Sequence, residues 1–336
     1  MDYKYIFGPV LSGRIGLSLG IDLLGAEICS LDCVYCEVGA TTELTMARKP
    51  YIPAATILKE LAHWKNEGPG QTTQPEFITL GGMGEPTLNS DLAVIISGIR
   101  DLFPSTPVAV LTNATTFTDP VVRKELLNAD VVLPSMDSLI EEDFRKVNRP
   151  CKELKAAEIR QGVLDFKAQF SGKLFLEILL VKDYNDSKEN LSLLKDFCAE
   201  LDPERVDIVT LSRPGTLASA KAVSPETMEL WQSTLQTEKK KMTTARQVAI
   251  KDNTDSSGVA SDMDDKISHS ALGERIIASV SRRPQTIAQL ALALGVDEEH
   301  INTVVAGLLA RNAIRPVDSE SSINGEIWFH APAVRQ

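Results

Sequence analysis

Three cysteines stand within eight residues of one another, Cys29, Cys33 and Cys36 in the stretch CSLDCVYCEVG. Thiols clustered this tightly point to a metal or redox site, and ligand counting narrows which one. A structural zinc site is closed by four ligands, commonly as two short Cys or Cys/His pairs. A cluster that only carries electrons also wants four thiolates. None of the four histidines (His63, His269, His300, His330) lies near the triplet in sequence, and Cys151 and Cys198 are distant as well. Three thiolates can instead hold three irons of a [4Fe–4S] cube and leave the fourth open, which makes that iron a coordination site for a substrate. Zinc closed by a remote histidine is the alternative at this stage. Cys198, in LLKDFCAEL, sits on a helical apolar face and reads as core. Cys151, just after Arg149-Pro150, reads as incidental.

A site of this kind has to be carried by a fold. The 336 residues suffice for one large domain plus a small one without disulfide support. Hydrophobic residues make up 43% and charged residues 24%, ordinary values for a globular chain. No apolar run approaches the roughly 18 residues needed to span a bilayer. The start, MDYKYIFGPVLSGRIG, lacks the basic end, apolar block and cleavage site of a signal peptide, so a cytoplasmic location with reduced thiols is expected. A net charge of −11 disfavours charge-driven adhesion to nucleic acid over the whole surface while leaving room for a local basic groove.

Strand-like apolar runs alternate with segments of helical spacing. Strands are expected near Gly16 to Leu24, Phe77 to Leu80, Val108 to Leu111, Val131 to Pro134, Leu174 to Val181 and Val206 to Leu211. Helices are expected at Ala54 to Asn66, Asp91 to Leu102, Pro120 to Asn128, Leu154 to Gln169 and Ser187 to Leu201. Repeated βα units imply a parallel sheet, and six units fit an open six-stranded barrel or a doubly wound sheet. Residues 1–235 form this first domain. Residues 236–269 are polar, basic at first and then acidic, and read as a linker. Residues 270–336 bring back pattern: ALGERIIASVSRR, TIAQLALAL ended by Gly295, and EEHINTVVAGLLAR capped by Asp297 are helix candidates. AIRPV and EIWFH, joined by a segment with an Asn-Gly turn signal, read as a hairpin, and three helices plus a hairpin is a winged-helix arrangement. The helix that would enter a DNA groove begins with three carboxylates, and residues 271–336 hold six arginines against seven acidic residues, a net of −1. A docking or substrate-presenting module fits better than a DNA reader, with Arg282 and Arg283 as the features favouring nucleic acid.

The expected strands end in side chains suited to ligands, on the face where parallel βα barrels place their sites. TLGGMGEPT (79–87) follows the second strand; its glycines let a backbone approach a ligand, and Glu85 can accept from an ammonium group. The third strand ends in LTNAT with Asn113, the fourth in LPSMDS with Ser135 and Asp137. Such residues also cap helices and build turns, a reading of equal weight for each alone. Glu177 interrupts the apolar fifth strand and needs a cation, a hydroxyl or a ligand pocket if it faces inward. Arg149 and Arg213 at strand ends suit a carboxylate or phosphate, or else surface salt bridges.

The motif Cys-x3-Cys-x-Tyr-Cys is similar to the signature of the radical S-adenosylmethionine (SAM) superfamily. The resemblance implies an α/β fold, a partial (β/α)6 barrel of the radical SAM type, followed here by the small winged-helix domain. It implies a [4Fe–4S] cluster on Cys29, Cys33 and Cys36 whose open iron binds the amino and carboxylate groups of SAM. Reductive cleavage of the sulfonium would then start hydrogen abstraction from a substrate. Gly81, Gly82 and Glu85 would hold the methionine end of SAM; Ser135 and Asp137 would lie at the ribose and neighbouring atoms, with Asn113 and Tyr35 close by. Arg149, Glu177 and Arg213 are the candidate substrate contacts, and an electron donor such as flavodoxin or ferredoxin is implied. The segment FGPVLSGRIGLSLGID, with LDCVYC, the Gly-Glu-Pro and the later Arg-Pro, resembles the branch that includes wyosine-type tRNA-modifying enzymes, from about Tyr5 to about Ser219. Those enzymes carry additional N-terminal cysteines, and this chain has none before Cys29. It therefore stands closer to branch members without an established substrate: a tRNA base, another small molecule or a peptide all fit. The reading from a different class is an iron–sulfur sensor controlling a winged-helix transcriptional regulator.

Overall fold

The computed structural model describes residues 3–12, 14–235, 269–280, 285–294, 296–317 and 327–330. The linker beyond Leu235, Arg282 and Arg283, Gly295 and the Asn-Gly turn lie outside the described residues. Side chains in a strand point alternately to opposite faces, and here one face meets helices and the other an interior. In Lys173–Leu180 (β8), Leu174, Leu176, Ile178 and Leu180 are fully buried among helices, whereas Phe175, Glu177 and Leu179 face the other way. The same alternation of facing runs through Gly16–Ile21 (β2), Phe77–Leu80 (β5), Val108–Thr112 (β6), Val131–Pro134 (β7) and Arg205–Thr210 (β9).

These six strands run parallel in chain order. Ile6–Ser12 (β1) is added antiparallel beside β2 as a seventh strand. The sequence reading did not include β1, whose Gly8-Pro9 removes an amide donor, a combination tolerated at an edge. Helices follow the strands: Ala54–Glu67 (α1), Leu92–Leu102 (α2), Pro120–Leu126 (α3), Glu141–Asn148 (α4), Ala156–Lys167 (α5), Lys188–Leu201 (α6) and Pro225–Leu235 (α7). In α2 the buried set Leu92, Ile95, Ile96 and Ile99 is the stripe that a 3.6-residue period turns toward the sheet. Ser187 caps α6 by accepting from Asn190 N–H, and Asp119 caps α3 by accepting from Val121 N–H. The charged, eight-residue α4 (EEDFRKVN) was not among the expected helices, since it is too short and polar to show a stripe.

The α/β fold is thus a partial parallel barrel with its helices outside. Its interior is filled at one end by Phe77, Ala109, Leu111, Val131, Leu133 and Phe175, with Ile15 from the β1–β2 turn inserted among them. That plug leaves the C-terminal strand ends to form the site. A two-residue pair, Ile28–Cys29 (β3) with Glu43–Leu44 (β4), holds the segment that carries the cysteines.

Further along the chain, His269–Val280 (α8), Ile287–Leu294 (α9) and Glu298–Ala310 (α10) bury Leu272, Ile276, Leu290, Ile301, Val305 and Leu308 together with Phe329. Arg315–Pro316 (β10) pairs antiparallel with Phe329–His330 (β11), and Gln285 bridges Phe329 on its other side. Asp297 caps α10 through His300 N–H at 2.8 Å. Trp328 is buried, and the Arg213 guanidinium lies 5.8 Å from its ring centre, so these elements meet the loop after β9.

Candidate functional site

Cys29 closes β3, and Cys33 and Cys36 follow in a turn where Cys36 N–H donates to Cys33 C=O at 3.2 Å. The loop is fastened on several sides. Asp32 N–H donates to Asn148 C=O at 3.0 Å and Val34 N–H to Val147 C=O at 2.9 Å, which ties it to the end of α4. Leu217 N–H donates to Val34 C=O at 3.0 Å, and Thr216 Oγ1 donates to Cys36 C=O at 3.2 Å. The loop after β5 docks where Glu85 N–H meets Ile28 C=O at 3.0 Å.

Two of the sulfurs are met by side-chain N–H donors. The side-chain amide of Asn113 donates to Cys29 Sγ, and that of Asn148 to Cys33 Sγ, both at 3.4 Å. Burial pushes the Cys29 thiol up to about 12, with the Glu85 charge adding to it. Burial likewise raises Cys33, followed by the charges of Cys36 and Cys29, and it raises Cys36 ahead of the charge of Glu37. Three thiolates in this pocket therefore need a cationic centre among them, and the N–H donors are already aimed at sulfur. Among the described residues no three His, Cys, Asp or Glu side chains converge on a single metal ion. Cys151 donates its backbone N–H to Ser30 C=O at 3.0 Å, but its side chain belongs to the helix-side core. The donor set fits a cluster held by three thiolates.

The residues expected at the strand ends surround this loop. Gly81 donates its N–H to Ile21 C=O at 3.1 Å; a Cβ there would meet only Leu111, at 3.6 Å. Gly82 lies against Asp22, and a Cβ would come within 2.9 Å of that side chain. Glu85 is buried, and its Oε1 accepts from Thr87 N–H at 3.1 Å, Thr87 Oγ1 at 2.6 Å and Thr112 Oγ1 at 2.7 Å. Its Oε2 accepts from Asn113 N–H at 2.7 Å. Four donors from two loops fix this carboxylate, so it joins the ends of β5 and β6. Asn113 also donates to Ser30 Oγ at 3.0 Å, and its Oδ1 accepts from Thr115. Ser135 bridges to Glu177 across β7 and β8, with its N–H on Thr112 C=O at 2.9 Å.

Asp137 is buried and collects three donors: the Tyr35 hydroxyl, Asn148 Nδ2 at 2.7 Å and Leu179 N–H at 2.9 Å. Tyr35 of the cysteine motif is thus anchored to the end of β7. The charged candidates have protein partners as well. Arg149 pairs with Asp32 at 2.8 Å, Arg213 stands 3.7 Å from Glu37, and Glu177 pairs with Arg14 from the β1–β2 turn. Beside that last pair, Asp207 pairs with Arg205 at 2.6 Å, giving the barrel interior a charged layer above its apolar plug.

Sequence reasoning missed Asn148, Gly84, Ser30 and Arg14. Asn148 precedes Arg149-Pro150, and Gly84 is the third glycine of GGMGEP, so both were adjacent to quoted motifs. Nothing in the order of residues says that Asn148 meets Cys33.

Comparison with known proteins supports the same reading. A family model described as the radical SAM superfamily matches residues 24–194. A UPF0026 protein of Synechocystis sp. is 36% identical over 216 residues, covering 64% of this chain and 78% of that protein. A Brachyspira hyodysenteriae protein named GTPase Obg is 32% identical over 326 residues, 97% of this chain, and the chain spans only 45% of it. The crystal structure of a radical SAM methyltransferase from Sphaerobacter thermophilus is similar in fold, with a TM-score of 0.51 at 17% identity over 65% of this chain and 62% of that one.

Proposed function

The chain belongs to the radical SAM superfamily and to the UPF0026 proteins, and from that membership we propose that it is an enzyme that cleaves SAM reductively and abstracts hydrogen from a substrate. The observation that carries the proposal is the donor set: three thiols in one loop, two of them met by side-chain amide donors, with the nearby Cys151 side chain in the core. The family's cofactors are a [4Fe–4S] cluster and SAM; Cys29, Cys33 and Cys36 would hold the cluster, which would supply the electron for reductive cleavage of SAM, taken from a reduced donor such as flavodoxin or ferredoxin.

The chain's own residues bind, orient and exclude water. The Gly81–Gly82 backbone lies at the end of β5 beside the loop, with Gly82 packed against Asp22 and Gly81 leaving its backbone open to a ligand. Glu85 holds that loop and the Asn113 loop together, and Asp137 fixes Tyr35 and Asn148 at the other side of the cysteines. Asn113 and Ser135 would meet the adenosine end of SAM, Asn113 while keeping or exchanging its bonds to Cys29, Ser30 and Thr115. The apolar plug closes the far end of the interior, and the Arg14–Glu177 and Arg205–Asp207 pairs form the layer that a substrate reaching inward would meet. Arg149, Glu177 and Arg213 would contact a substrate only while keeping or exchanging their carboxylate or guanidinium partners.

The substrate class is a tRNA base, a small molecule or a peptide side chain. The elements from His269 onward form a docking or substrate-presenting module of winged-helix type; α10 opens with exposed Glu298 and Glu299, which repel phosphates. Among the described residues no helix is long and apolar enough to cross a membrane, and a cytoplasmic setting would keep the thiols reduced.

Anaerobic reconstitution tests the reading. The protein is expected to bind about four irons per chain, as a cubane requires, and to yield 5′-deoxyadenosine with SAM and dithionite. Deuterium carried into that product from labelled cell fractions, nucleic acid against small molecules, identifies the substrate class. Protein that loads the cluster and binds SAM yet gives no 5′-deoxyadenosine under any reducing condition refutes the enzymatic assignment.

A further inference from the structure

Two side-chain amides reach the sulfurs: Asn113 Nδ2 donates to Cys29 Sγ and Asn148 Nδ2 to Cys33 Sγ, both at 3.4 Å. Each contact can be removed by a single substitution, and of the two residues Asn113 is also a candidate SAM contact.

Asn148 is placed for this with little freedom. It is buried at the last turn of α4, with its own C=O taking Asp32 N–H at 3.0 Å. An amide presents nitrogen on one side and oxygen on the other, and the two ends are told apart by their partners. Here Asp137 Oδ2 stands 2.7 Å from Asn148 Nδ2. Asp137 already accepts the Leu179 N–H on Oδ1 and the Tyr35 hydroxyl on Oδ2, so it meets Asn148 as an acceptor and turns the nitrogen end toward itself. Tyr35 spends its hydroxyl proton on the same carboxylate and so meets Asn148, at 3.3 Å, with a lone pair. The second amide hydrogen is shared between that oxygen and the sulfur of Cys33, at 3.4 Å.

We propose that Asn148, oriented by Asp137, sets the reduction potential of the cluster by donating an N–H···S hydrogen bond to Cys33. Hydrogen bonds to the sulfurs of an iron–sulfur cluster stabilise its more negative, reduced form and raise its potential. Asn148 is a positioning residue, acting through the sulfur of Cys33. The proposal rests on the cluster assignment above, and its failure is separable from the failure of that assignment.

The test is a redox titration of the reconstituted holoprotein, followed by the electron paramagnetic resonance of the reduced cluster. Asn148→Leu keeps the charge and the branched shape while removing the donor; its midpoint is expected to lie below that of wild type at equal iron content. Asn148→Leu with a full cluster and the wild-type midpoint overturns the proposal. Should that variant fail to load, wild-type protein labelled with 15N at asparagine side-chain amides decides the question. Couplings of two amides to the reduced cluster are expected, one of which survives in Asn113→Leu. No surviving coupling overturns the proposal. Wild-type protein that takes up no iron refutes the cluster assignment itself.

Discussion

Gly84 stands so close to Ile28 that a Cβ on it would lie 1.9 Å from the Ile28 carbonyl oxygen and 2.7 Å from the carbonyl carbon. The loop after β5 and the strand leading into the cysteines are therefore in backbone contact, and the neighbouring Glu85 N–H bonds the same carbonyl at 3.0 Å. Ile28 cannot recede, because β3 is paired with β4. Gly84→Ala is expected to cost about 1–3 kcal/mol, as overpacking does, and to lower iron retention. Gly81→Ala meets only Leu111 at 3.6 Å and should fold and load iron as wild type does. Equal iron content and equal melting temperature in the two variants would show that the loop yields.

Arg149 is expected to act on the cluster loop. It pairs with Asp32 at 2.8 Å and also donates Nε to the Asp32 carbonyl, with both side chains partly exposed. A pair of that kind contributes up to about 1 kcal/mol. Arg149→Ala should then speed chelator-driven iron loss roughly fivefold, the equivalent of about 1 kcal/mol. Unchanged iron loss with a raised substrate KM would return Arg149 to the substrate.

Burial holds the Glu85 carboxyl above its ordinary value of 4.5, against the hydrogen bonds from Thr87, Asn113 and Thr112. A folded-state value above the unfolded one means that the folded chain binds the proton more tightly. Glu85 thus contributes most below 4.5, and its contribution is lost as pH rises through the folded value. In urea titrations of the cluster-free protein, the stability difference between wild type and Glu85→Gln should be largest in acid and shrink toward neutral pH. A difference that grows with pH would mean that the four donors outweigh burial.

Trp328 is buried against Arg213, and its indole nitrogen has no hydrogen-bond partner among the described residues. Its role is then packing, with the Arg213 guanidinium over the ring. Trp328→Ala should cost about 3–5 kcal/mol and hasten proteolysis between residues 269 and 330. Trp328→Phe, which keeps an aromatic face, should cost much less. Equal losses in both would implicate the indole nitrogen.

The cysteine triplet and most of the barrel were legible because both are local signals. Ligand spacing is fixed by the covalent chain, and strand alternation by the two-residue pleat. β1 and α4 escaped for local reasons too: a Gly-Pro edge strand and a short polar helix carry no strong period.

What the sequence by itself determined was the kind of ligand set, three thiols and no fourth beside them, and the order of strands that would carry it. Tertiary structure decided how each charged or amide side chain is used. Glu85 and Asp137 look like ligand contacts in sequence and are found collecting donors from neighbouring strand ends. Arg14 finds Glu177 across 163 residues, Arg149 finds the Asp32 carbonyl across 117, and Asn148 finds Cys33 across 115. Hydrogen bonds and ion pairs act over a few ångströms, so their partners are chosen only when the sheet curves and its C-terminal strand ends converge.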